Sequence, residues 1–398
     1  MNCITEKQKC TGCGACVDIC PKGCVSIALD DDGFLVSEID ESICINCMKC
    51  RKVCPSLVLP RMNPIKRILS ASAKDKTILA ESSSGGMFTV IAKYALDKGG
   101  VVYGAQFDDN LNCVHASTDN ISGISPMRGS KYIGSNLAGI YKSVKNDLAK
   151  GIFVLFSGTP CQNAALSNYL GKDYDNLLAV DFLCHGVGST RLFNAYIRFL
   201  ETKYGSKAKT AYFRKKRKNF LQPNFKVEFQ NGKSYTDYNY LNVFGSNFAN
   251  RKNIKSSCNR CAFSSKDRAT DFTIGDYGLK NVFRFPNWKS GVSVITLNTK
   301  KAQRVFNVVK EEISGEEKRR EETVCIISTL NRRNLSDEIR DKFFAVVKSV
   351  GFDAFVETNY KVSFIRKRKY MYTFFLRRVS SMLPMSVKRV LKSWLLNR

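Results

Sequence analysis

Two copies of a short cysteine pattern constrain this chain more than any other feature. The pattern is Cys-x-x-Cys-x-x-Cys-x-x-x-Cys-Pro, and its cysteines are Cys10, Cys13, Cys16 and Cys20, then Cys44, Cys47, Cys50 and Cys54. Both copies lie within residues 1–58, a segment too short to bury much apolar surface of its own. Bonds from the thiolates are therefore expected to hold this segment together.

The spacing is typical of one kind of metal centre. Three thiolates in a tight loop bind three irons of a 4Fe–4S cube, and the fourth, which comes later and precedes a proline, reaches the other cube. This is the spacing of bacterial ferredoxins with two clusters. We assign one cluster to Cys10, Cys13, Cys16 and Cys54, and the second to Cys44, Cys47, Cys50 and Cys20. The alternative is zinc, whose sites usually space thiolates as two separated Cys-x-x-Cys pairs.

Cysteine and histidine usage supports metal or redox chemistry over disulfides. The 398 residues include sixteen Cys and only two His, which argues against a multi-histidine centre. Cys24 stands just outside the repeated pattern, and we interpret it as a packing residue. The head alone therefore predicts electron transfer.

Beyond the head, apolar residues alternate between helical and strand spacing. Residues 87–96 have helical spacing, whereas IFVLF (152–156) and LLAVDFLC (177–184) are typical of buried strands. We expect an α+β ferredoxin-like iron–sulfur head, an α/β body with a mixed sheet and a basic helical C-terminal tail. The predicted boundaries are 1–58 for the head, 59–75 for a linker, 76–175 and 176–355 for the two parts of the body, and 361–398 for the tail.

Four cysteines of the body form a second candidate metal site. Cys161 lies in the first turn of a helix, where a thiolate is stabilised, and Cys184 ends the next strand. If the two strands are parallel neighbours, both thiols lie at the sheet edge where α/β proteins bind ligands. Cys258 and Cys261 add two thiols from one loop. The set predicts a third 4Fe–4S cluster or a zinc site, and two buried cysteines beside an unrelated pair are the alternative.

A serine- and glycine-rich helix start is a candidate anion site. Ser84, Gly85 and Gly86 precede the helix, and free amides at such a start favour a cofactor phosphate. A flexible entry with a serine cap is the alternative. Arg128 and Lys131 could serve the same anion.

Three further residues complete the candidate site. Thr159 is predicted to cap the helix that begins at Pro160. His185 is a candidate proton donor. Asp276, expected at a turn with Gly275, either caps the backbone or accepts a hydrogen bond from a cofactor ring or ribose.

The body resembles the coenzyme F-420 hydrogenase/dehydrogenase family of beta subunits. The resemblance rests on segments that occur in order between roughly residues 70 and 300: SSSGGMFTVIAKYALDKGGVVYGAQFD, GSKYIGSN, VLFSGTPCQNAAL, VDFLCHGVGS, YFRKK, SCNRCAFSSKDRATDFTIGDYG and GVSVITLNT. It implies FAD beside a 4Fe–4S cluster held by Cys161, Cys184, Cys258 and Cys261. It also implies flavin contacts at the helix start and Lys131, and we group Ser84 and Thr159 with them.

The resemblance predicts an iron–sulfur flavoprotein oxidoreductase, with His185 and Asp276 as catalytic candidates. Electrons would move between the ferredoxin-type clusters, the flavin and a soluble substrate. Fusion of such a head to this body is similar to bacterial members found among cell-surface polysaccharide genes, so a polysaccharide precursor or another acidic metabolite is the expected substrate. The alternative is a non-catalytic adaptor that delivers electrons to a partner oxidoreductase.

Charge adds expectations about partners. A net charge of +28 points to an anionic partner, but no recognised module favours nucleic acid. Residues 207–218 carry seven Lys or Arg and either dock an acidic ferredoxin or substrate or form a solvated loop.

The tail places Trp394 and aliphatic residues at helical spacing among cations, which suits the inner face of an anionic membrane, with a packed terminal helix as the alternative. Without a signal peptide or a spanning run, we expect a cytoplasmic protein with peripheral membrane contact through the tail.

Overall fold

The computed structural model of the protein describes residues 4–216, 224–277, 291–319 and 335–362. The helices with both ends in these ranges are α1 (Ala15–Ile19), α2 (Lys49–Val53), α3 (Lys76–Glu81), α4 (Met87–Asp97), α5 (Ile140–Ala149), α6 (Pro160–Leu170), α7 (Thr190–Tyr204), α8 (Val243–Ala249), α9 (Ser256–Asn259), α10 (Lys300–Val309) and α11 (Glu338–Val350). Two short 3-10 helices span Ser122–Met127 and Lys310–Glu312, and residues 352–362 are also helical.

The strands within the same ranges are β1 (Val25–Leu29), β2 (Leu35–Ile39), β3 (Asn63–Pro64), β4 (Arg67–Ala73), β5 (Val101–Phe107), β6 (Cys113–Thr118), β7 (Val154–Ser157), β8 (Leu177–Phe182), β9 (Ala208–Lys215), β10 (Asn224–Phe229), β11 (Ser234–Tyr238), β12 (Asp267–Arg268), β13 (Phe272–Asp276), β14 (Ser293–Leu297) and β15 (Ile313–Glu317). No helix of the described residues is long and apolar enough to cross a membrane.

The head repeats one local backbone shape in its two cysteine loops. Gly14 precedes α1 and Met48 precedes α2, both in the left-handed region with φ of 81° and 59°. The antiparallel hairpin β1–β2 lies between the two loops. The apolar cluster among them is small and has Ile4, Cys16 and Val25 among its few buried members. So little apolar burial fits the expectation that metal ligation supplies the missing stability.

An eight-stranded mixed sheet organises the body. Its strand order is β15-β4-β14-β13-β8-β7-β5-β6, and the neighbours β13, β8, β7 and β5 run parallel. Alternate residues of each strand face opposite sides of the sheet. Leu155 packs with α4 and α10 on one side, whereas Val154 and Phe156 pack with α5 and α6 on the other. The predicted mixed sheet is therefore confirmed.

A second, smaller sheet carries an aromatic core. Strands β11, β10 and β9 form it, and the Asn231-Gly232 pair connects β10 to β11 as the sequence indicates. Helices α7, α8 and α11 share its hydrophobic cluster, to which Phe193, Phe213 and Phe244 contribute.

The hairpin tip of the head inserts into this aromatic core. Phe34 is 2% exposed, stacks edge-on against Phe344 at 5.6 Å, and lies under the guanidinium of Arg340. Arg340 also pairs with Asp32. Just before Phe34, Gly33 adopts φ 83° and lies so close to Arg191 that a Cβ could not fit there without displacing that side chain. The head is therefore packed into the body.

A second contact joins the first cysteine loop to α5. The carboxylate of Asp18 accepts hydrogen bonds from the amides of Gly139 (2.6 Å) and Lys142 (3.2 Å) at the start of that helix. An acid at a helix N-terminus satisfies free amides and complements the helix dipole. This contact fixes the first loop against the sheet layer that follows.

One predicted boundary needs correction, and two predicted basic segments lie wholly or partly outside the described residues. The linker predicted over 59–75 contains β4, which is paired on both sides within the large sheet, so the connecting segment is shorter than predicted. The run RILSASA was missed because Ser and Ala favour strands weakly, and two nearby prolines suggested a linker. Almost all of the basic tail (363–398) and the end of the basic run at 217–218 lie outside the described residues.

Candidate functional site

The first group of head cysteines, here called the inner cysteine group, lies against the body. It contains Cys10, Cys13, Cys16 and Cys54. Burial, with smaller contributions from the neighbouring thiols of Cys10 and Cys54, raises the pKa of Cys13 to about 12. Burial and the same neighbours raise the pKa of Cys16. The structure thus places the late cysteine of the second copy beside the first loop.

The outer cysteine group contains Cys20, Cys44, Cys47 and Cys50, which line one cavity of about 120 Å³. Here the late cysteine of the first copy joins the second loop. Cys47 is exposed, so this group faces the solvent. The Cys24 side chain is buried in the small apolar cluster, yet its Sγ lies 3.3 Å from Sγ of Cys20 and lines the same cavity.

The body cysteine group brings together Cys161, Cys184, Cys258 and Cys261. Burial raises the pKa of Cys161 well above its ordinary value, and the other three thiols add to this effect. Burial also raises the pKa of Cys184 to about 12 and that of Cys261 to about 11. Buried thiols of this kind ionise readily only beside positive charge or metal. The four side chains come from α6, the end of β8, α9 and the loop that follows α9.

Arg268 holds the strands and loops that carry this group. Its side chain is 2% exposed and pairs with buried Asp181 on β8 at 3.1 Å. The guanidinium also donates to the carbonyls of Phe182 (3.2 Å) and Phe263 (3.3 Å), two residues from Cys184 and Cys261, respectively, and further to the Ser265 carbonyl and Thr273 Oγ1. A planar fork with five donors suits such a junction.

Arg251 ties the remaining loop in a similar way. It adopts the left-handed region with φ 57° and donates to the carbonyls of His185 (3.1 Å) and Cys258 (3.2 Å). Its side chain also reaches Oδ1 of Asn259. Two arginines thus fix the backbone on both sides of the body cysteine group and place positive charge near its thiols.

One large cavity, here called the central cavity, adjoins this group. Its volume is about 700 Å³, within the range of pockets that hold organic cofactors. The cations that line it are Arg128, Lys131, Arg214, Arg251, Lys255 and Arg268. Asp276 is the single carboxylate among the described residues of its lining. This excess of positive charge favours an anionic ligand.

The lining also contains buried polar atoms without partners. Nδ1 of His115, Nε of Arg128 and Nε of Arg214 lack a hydrogen bond. Nε2 of His115 lies 3.1 Å from the carbonyl of Ser157, and burial lowers the pKa of this histidine to about 4. Buried unpaired groups are costly, so such atoms in a cavity indicate a place where a ligand supplies the missing partners.

The candidate cofactor residues do not share one position. Ser84, Gly86, Lys131 and Thr159 line the central cavity. Gly85 does not; it lies behind the lining, where its amide donates to Ser293 Oγ at 2.8 Å and a Cβ would collide with the carbonyl of Ala71. Gly86 begins α4 with φ 87°.

Two of the candidate cofactor residues, Lys131 and Thr159, also form hydrogen bonds to the backbone that stabilise the fold. Nζ of Lys131 donates to the carbonyls of Pro126, Met127 and Arg128, and burial lowers its pKa to about 8. The Thr159 side chain accepts from the amide of Gln162, which confirms the predicted cap of α6.

The candidate catalytic residues both line the central cavity, but Asp276 is not at a turn. It ends β13 opposite Ser293 of β14, and its carboxylate forms an ion pair with Arg214. The Gly-Asp pair suggested a turn, but the strand includes both residues because they pair with Val294 and Ser293 of β14. His185 follows Cys184, and its ring lies 5.3 Å from that of Phe248.

Tyr141 connects the inner and body cysteine groups. Its side chain is fully buried, and its hydroxyl lies 2.8 Å from the carbonyl of Cys13 and 3.3 Å from that of Gln162, the residue after Cys161. No motif marked this tyrosine. Only the docked head reveals its partner at Cys13.

No sequence motif marks Arg268, Arg251 or His115 either. A lone arginine within RATDFTIGDYG gives a weak signal, since burial is what makes it a junction. Among the described residues, no three His, Cys, Asp or Glu side chains are arranged to hold a single metal ion.

Three family profiles match the chain. Two describe the beta subunit of coenzyme F420 hydrogenase/dehydrogenase: its N-terminal profile matches residues 68–141, and its C-terminal profile matches residues 153–323. The third is the 4Fe-4S dicluster domain, which matches residues 9–58.

Three curated relatives come from Methanocaldococcus jannaschii and Methanosarcina mazei. An uncharacterized protein of Methanocaldococcus jannaschii is 27% identical over 207 residues, covering 44% of this chain and 56% of its own length. An uncharacterized ferredoxin of the same organism is 40% identical over 53 residues, covering 13% and 68%. A subunit of the F(420)H(2) dehydrogenase of Methanosarcina mazei is 22% identical over 171 residues, covering 40% and 48%. The chain thus spans about half the length of the first and third of these relatives.

A solved structure is also similar. It is the F420-reducing [NiFe] hydrogenase complex from Methanosarcina barkeri, with a TM-score of 0.47 and 19% identity over 72% of this chain and 93% of the matched chain.

Proposed function

Because the chain belongs to the coenzyme F420 hydrogenase/dehydrogenase family of beta subunits and carries an N-terminal 4Fe–4S dicluster domain, we propose that it is an iron–sulfur flavoprotein oxidoreductase. The coarser part of this function, electron transfer of the oxidoreductase type through iron–sulfur clusters, follows from the family. When bound, the clusters would pass single electrons and the flavin would exchange electron pairs with a soluble substrate. The observation that carries the proposal is the central cavity. Its wall contains the body cysteine group, several cations and buried nitrogen atoms that lack hydrogen-bond partners.

The donor sets fit three clusters. The inner and outer cysteine groups each offer four thiols in the pattern of a two-cluster ferredoxin, and the body cysteine group offers four more. Arg268 and Arg251 place positive charge close to the body group, which stabilises thiolates and a cluster of net negative charge. These residues would hold a third cluster at the wall of the central cavity.

The central cavity also fits an anionic organic cofactor such as FAD. The serines before α4 and the first turn of that helix present amides, which favour a phosphate. Arg128 and His115 offer buried nitrogen atoms that lack partners. The same cationic lining would admit an acidic substrate, such as a charged polysaccharide precursor. His185 remains the candidate proton donor there, and Asp276 orients Arg214.

The arrangement also supports an order for the cysteine groups. The outer group faces the solvent, the inner group packs on the body, and Tyr141 bridges the inner group to the body group. The body group lines the central cavity. A partner protein would therefore exchange electrons at the outer end, in line with the name of the Methanosarcina mazei relative, which is one component of a dehydrogenase.

Anaerobic quantification of iron, sulfide and flavin on one purified sample tests the proposal. We expect about twelve irons and one flavin per chain. Cys161→Ser should remove about four irons, whereas the matched control Cys113→Ser, another buried thiol in the lining of the central cavity, should keep them. About eight irons without flavin would instead favour the non-catalytic adaptor. A chain that folds without iron and sulfide would contradict both.

A further inference from the structure

The loop that carries the outer cysteine group exposes apolar side chains. Ile43, Ile45 and Met48 are 50%, 56% and 53% exposed, and Cys47 between them is exposed as well. Ile45 and Met48 line the mouth of the outer cavity itself. Large apolar side chains that cluster at the surface mark interaction sites more often than isolated ones do.

The same mouth is positively charged. Lys22, Lys49 and Arg51 line the outer cavity, and among the described residues no carboxylate does. Lys22 and Lys49 are exposed, whereas Arg51 donates to the carbonyl of Ile4 at 3.0 Å. Asp40 and Glu41 precede the loop but do not line the cavity.

The loop is also where the proposed electron path reaches the solvent. The inner cysteine group is covered by the body through Cys13 and Tyr141. The thiols of the body group are half-buried in the wall of the central cavity. An electron carrier must approach a cluster closely, and only the outer group among the described cysteine groups has an exposed member at its mouth. An apolar centre with a charged rim is the usual form of a transient interface.

We infer that the 43–49 loop and Lys22 form the docking surface for a small acidic one-electron carrier protein of the ferredoxin type. This inference rests on the proposed function and adds the place and the charge of the partner. The rim cations select an acidic partner and speed its encounter, while Ile45 and Met48 supply the contact. Each encounter transfers one electron: one protein is oxidised, the other is reduced, and no bond is made or broken.

Calorimetric titration of the full, cluster-loaded chain with a purified acidic bacterial ferredoxin tests this surface. We expect binding that weakens as salt is raised. The double variant Lys22→Glu with Lys49→Glu should weaken ferredoxin binding about tenfold. Each exposed ion pair with the partner contributes a fraction of a kcal/mol, and reversing the charge replaces this attraction by a repulsion of similar size. The matched control, Lys300→Glu with Lys310→Glu, makes the same charge change at exposed positions of the body and should leave it unchanged.

Ile45→Gln separates the apolar contact from the charge. It should weaken binding without changing the salt dependence, and iron content should match that of the wild type in every variant. Two results would overturn the docking surface while leaving the proposed function intact. The first is equal affinity in the wild type and the double-reversal variant. The second is no binding by a chain whose clusters dithionite still reduces. A chain without iron would instead remove the proposed function.

Discussion

Replacing Arg268 by methionine tests how the body cysteine group is assembled. Methionine keeps much of the length and apolar volume of the arginine stem but removes the guanidinium. The substitution leaves the carboxylate of Asp181 without its cationic partner at a site that is 1% exposed. It also leaves the carbonyls of Phe182 and Phe263 without a donor.

The expected cost follows from the unpaired charge. Removing one partner of a buried ion pair costs about 3–5 kcal/mol of unfolding free energy, and the orphaned carbonyls place Arg268→Met at the upper end. The pKa of Asp181 is already raised by burial, which outweighs the opposing effect of Arg268. Without the arginine that pKa rises further, and the folded state then holds a proton that the unfolded state releases. The unfolding free energy that Arg268→Met loses relative to the wild type should therefore be small below pH about 4 and grow as the pH rises.

Urea unfolding at several pH values, combined with iron analysis, provides the assay. Arg268→Met should lose stability and about four irons, because the strand end and the loop that carry Cys184 and Cys261 are no longer held together. Arg268→Met combined with Asp181→Asn should recover most of the stability but not the iron. Arg268→Lys, which keeps the charge but not the fork, should lie between. Stability within about 1 kcal/mol of the wild type at pH 8, with full iron, would contradict this role of Arg268.

Other predictions concern single buried side chains. Tyr141→Phe removes the hydroxyl bonded to the carbonyls of Cys13 and Gln162 and should cost about 1–3 kcal/mol in denaturant unfolding; an unchanged midpoint would contradict the bridge. The pKa of His115 is about 4 in the folded protein, below its ordinary 6.5, so the unfolded state takes up a proton first as the pH falls. This histidine should therefore make the protein about 3 kcal/mol less stable at pH 4 than at pH 7. Thermal unfolding at both pH values should show this loss in the wild type but not in His115→Gln. Phe34→Ala should lower the free energy of unfolding by about 3–5 kcal/mol and make residues 1–58 susceptible to limited proteolysis. A variant whose head resists the protease as the wild type does would contradict this prediction.

The parts of the fold that the sequence predicted are those governed by local rules. Cysteine spacing, the cap at Thr159 and the period of α4 depend on residues a few positions apart, and the structure contains the predicted helix starts at Thr159 and Gly86. The late cysteines Cys20 and Cys54 could be paired across the two copies because cluster geometry imposes that exchange.

What escaped prediction depends on distant residues. The strand β4 has weak propensity and is stabilised by partners more than 200 residues away in sequence, so the sequence around residue 70 indicated a linker. The junction at Arg268 and the bridge at Tyr141 exist only once β8, the cysteine loops and the head are in place. Asp276 was expected at a turn because a glycine next to an aspartate is typical of turns. In the structure Gly275 instead packs closely against Leu183, a contact between residues distant in sequence.

Insertion of Phe34 into the body has a kinetic consequence. A separate ferredoxin must diffuse to its acceptor, and the rate then depends on the concentrations of both proteins. Here the hairpin tip anchors the head in a fixed pose. In the proposed electron path, an electron would therefore pass from the inner to the body cysteine group in an intramolecular, first-order step. Diluting the protein should slow only the bimolecular encounter at its outer loop.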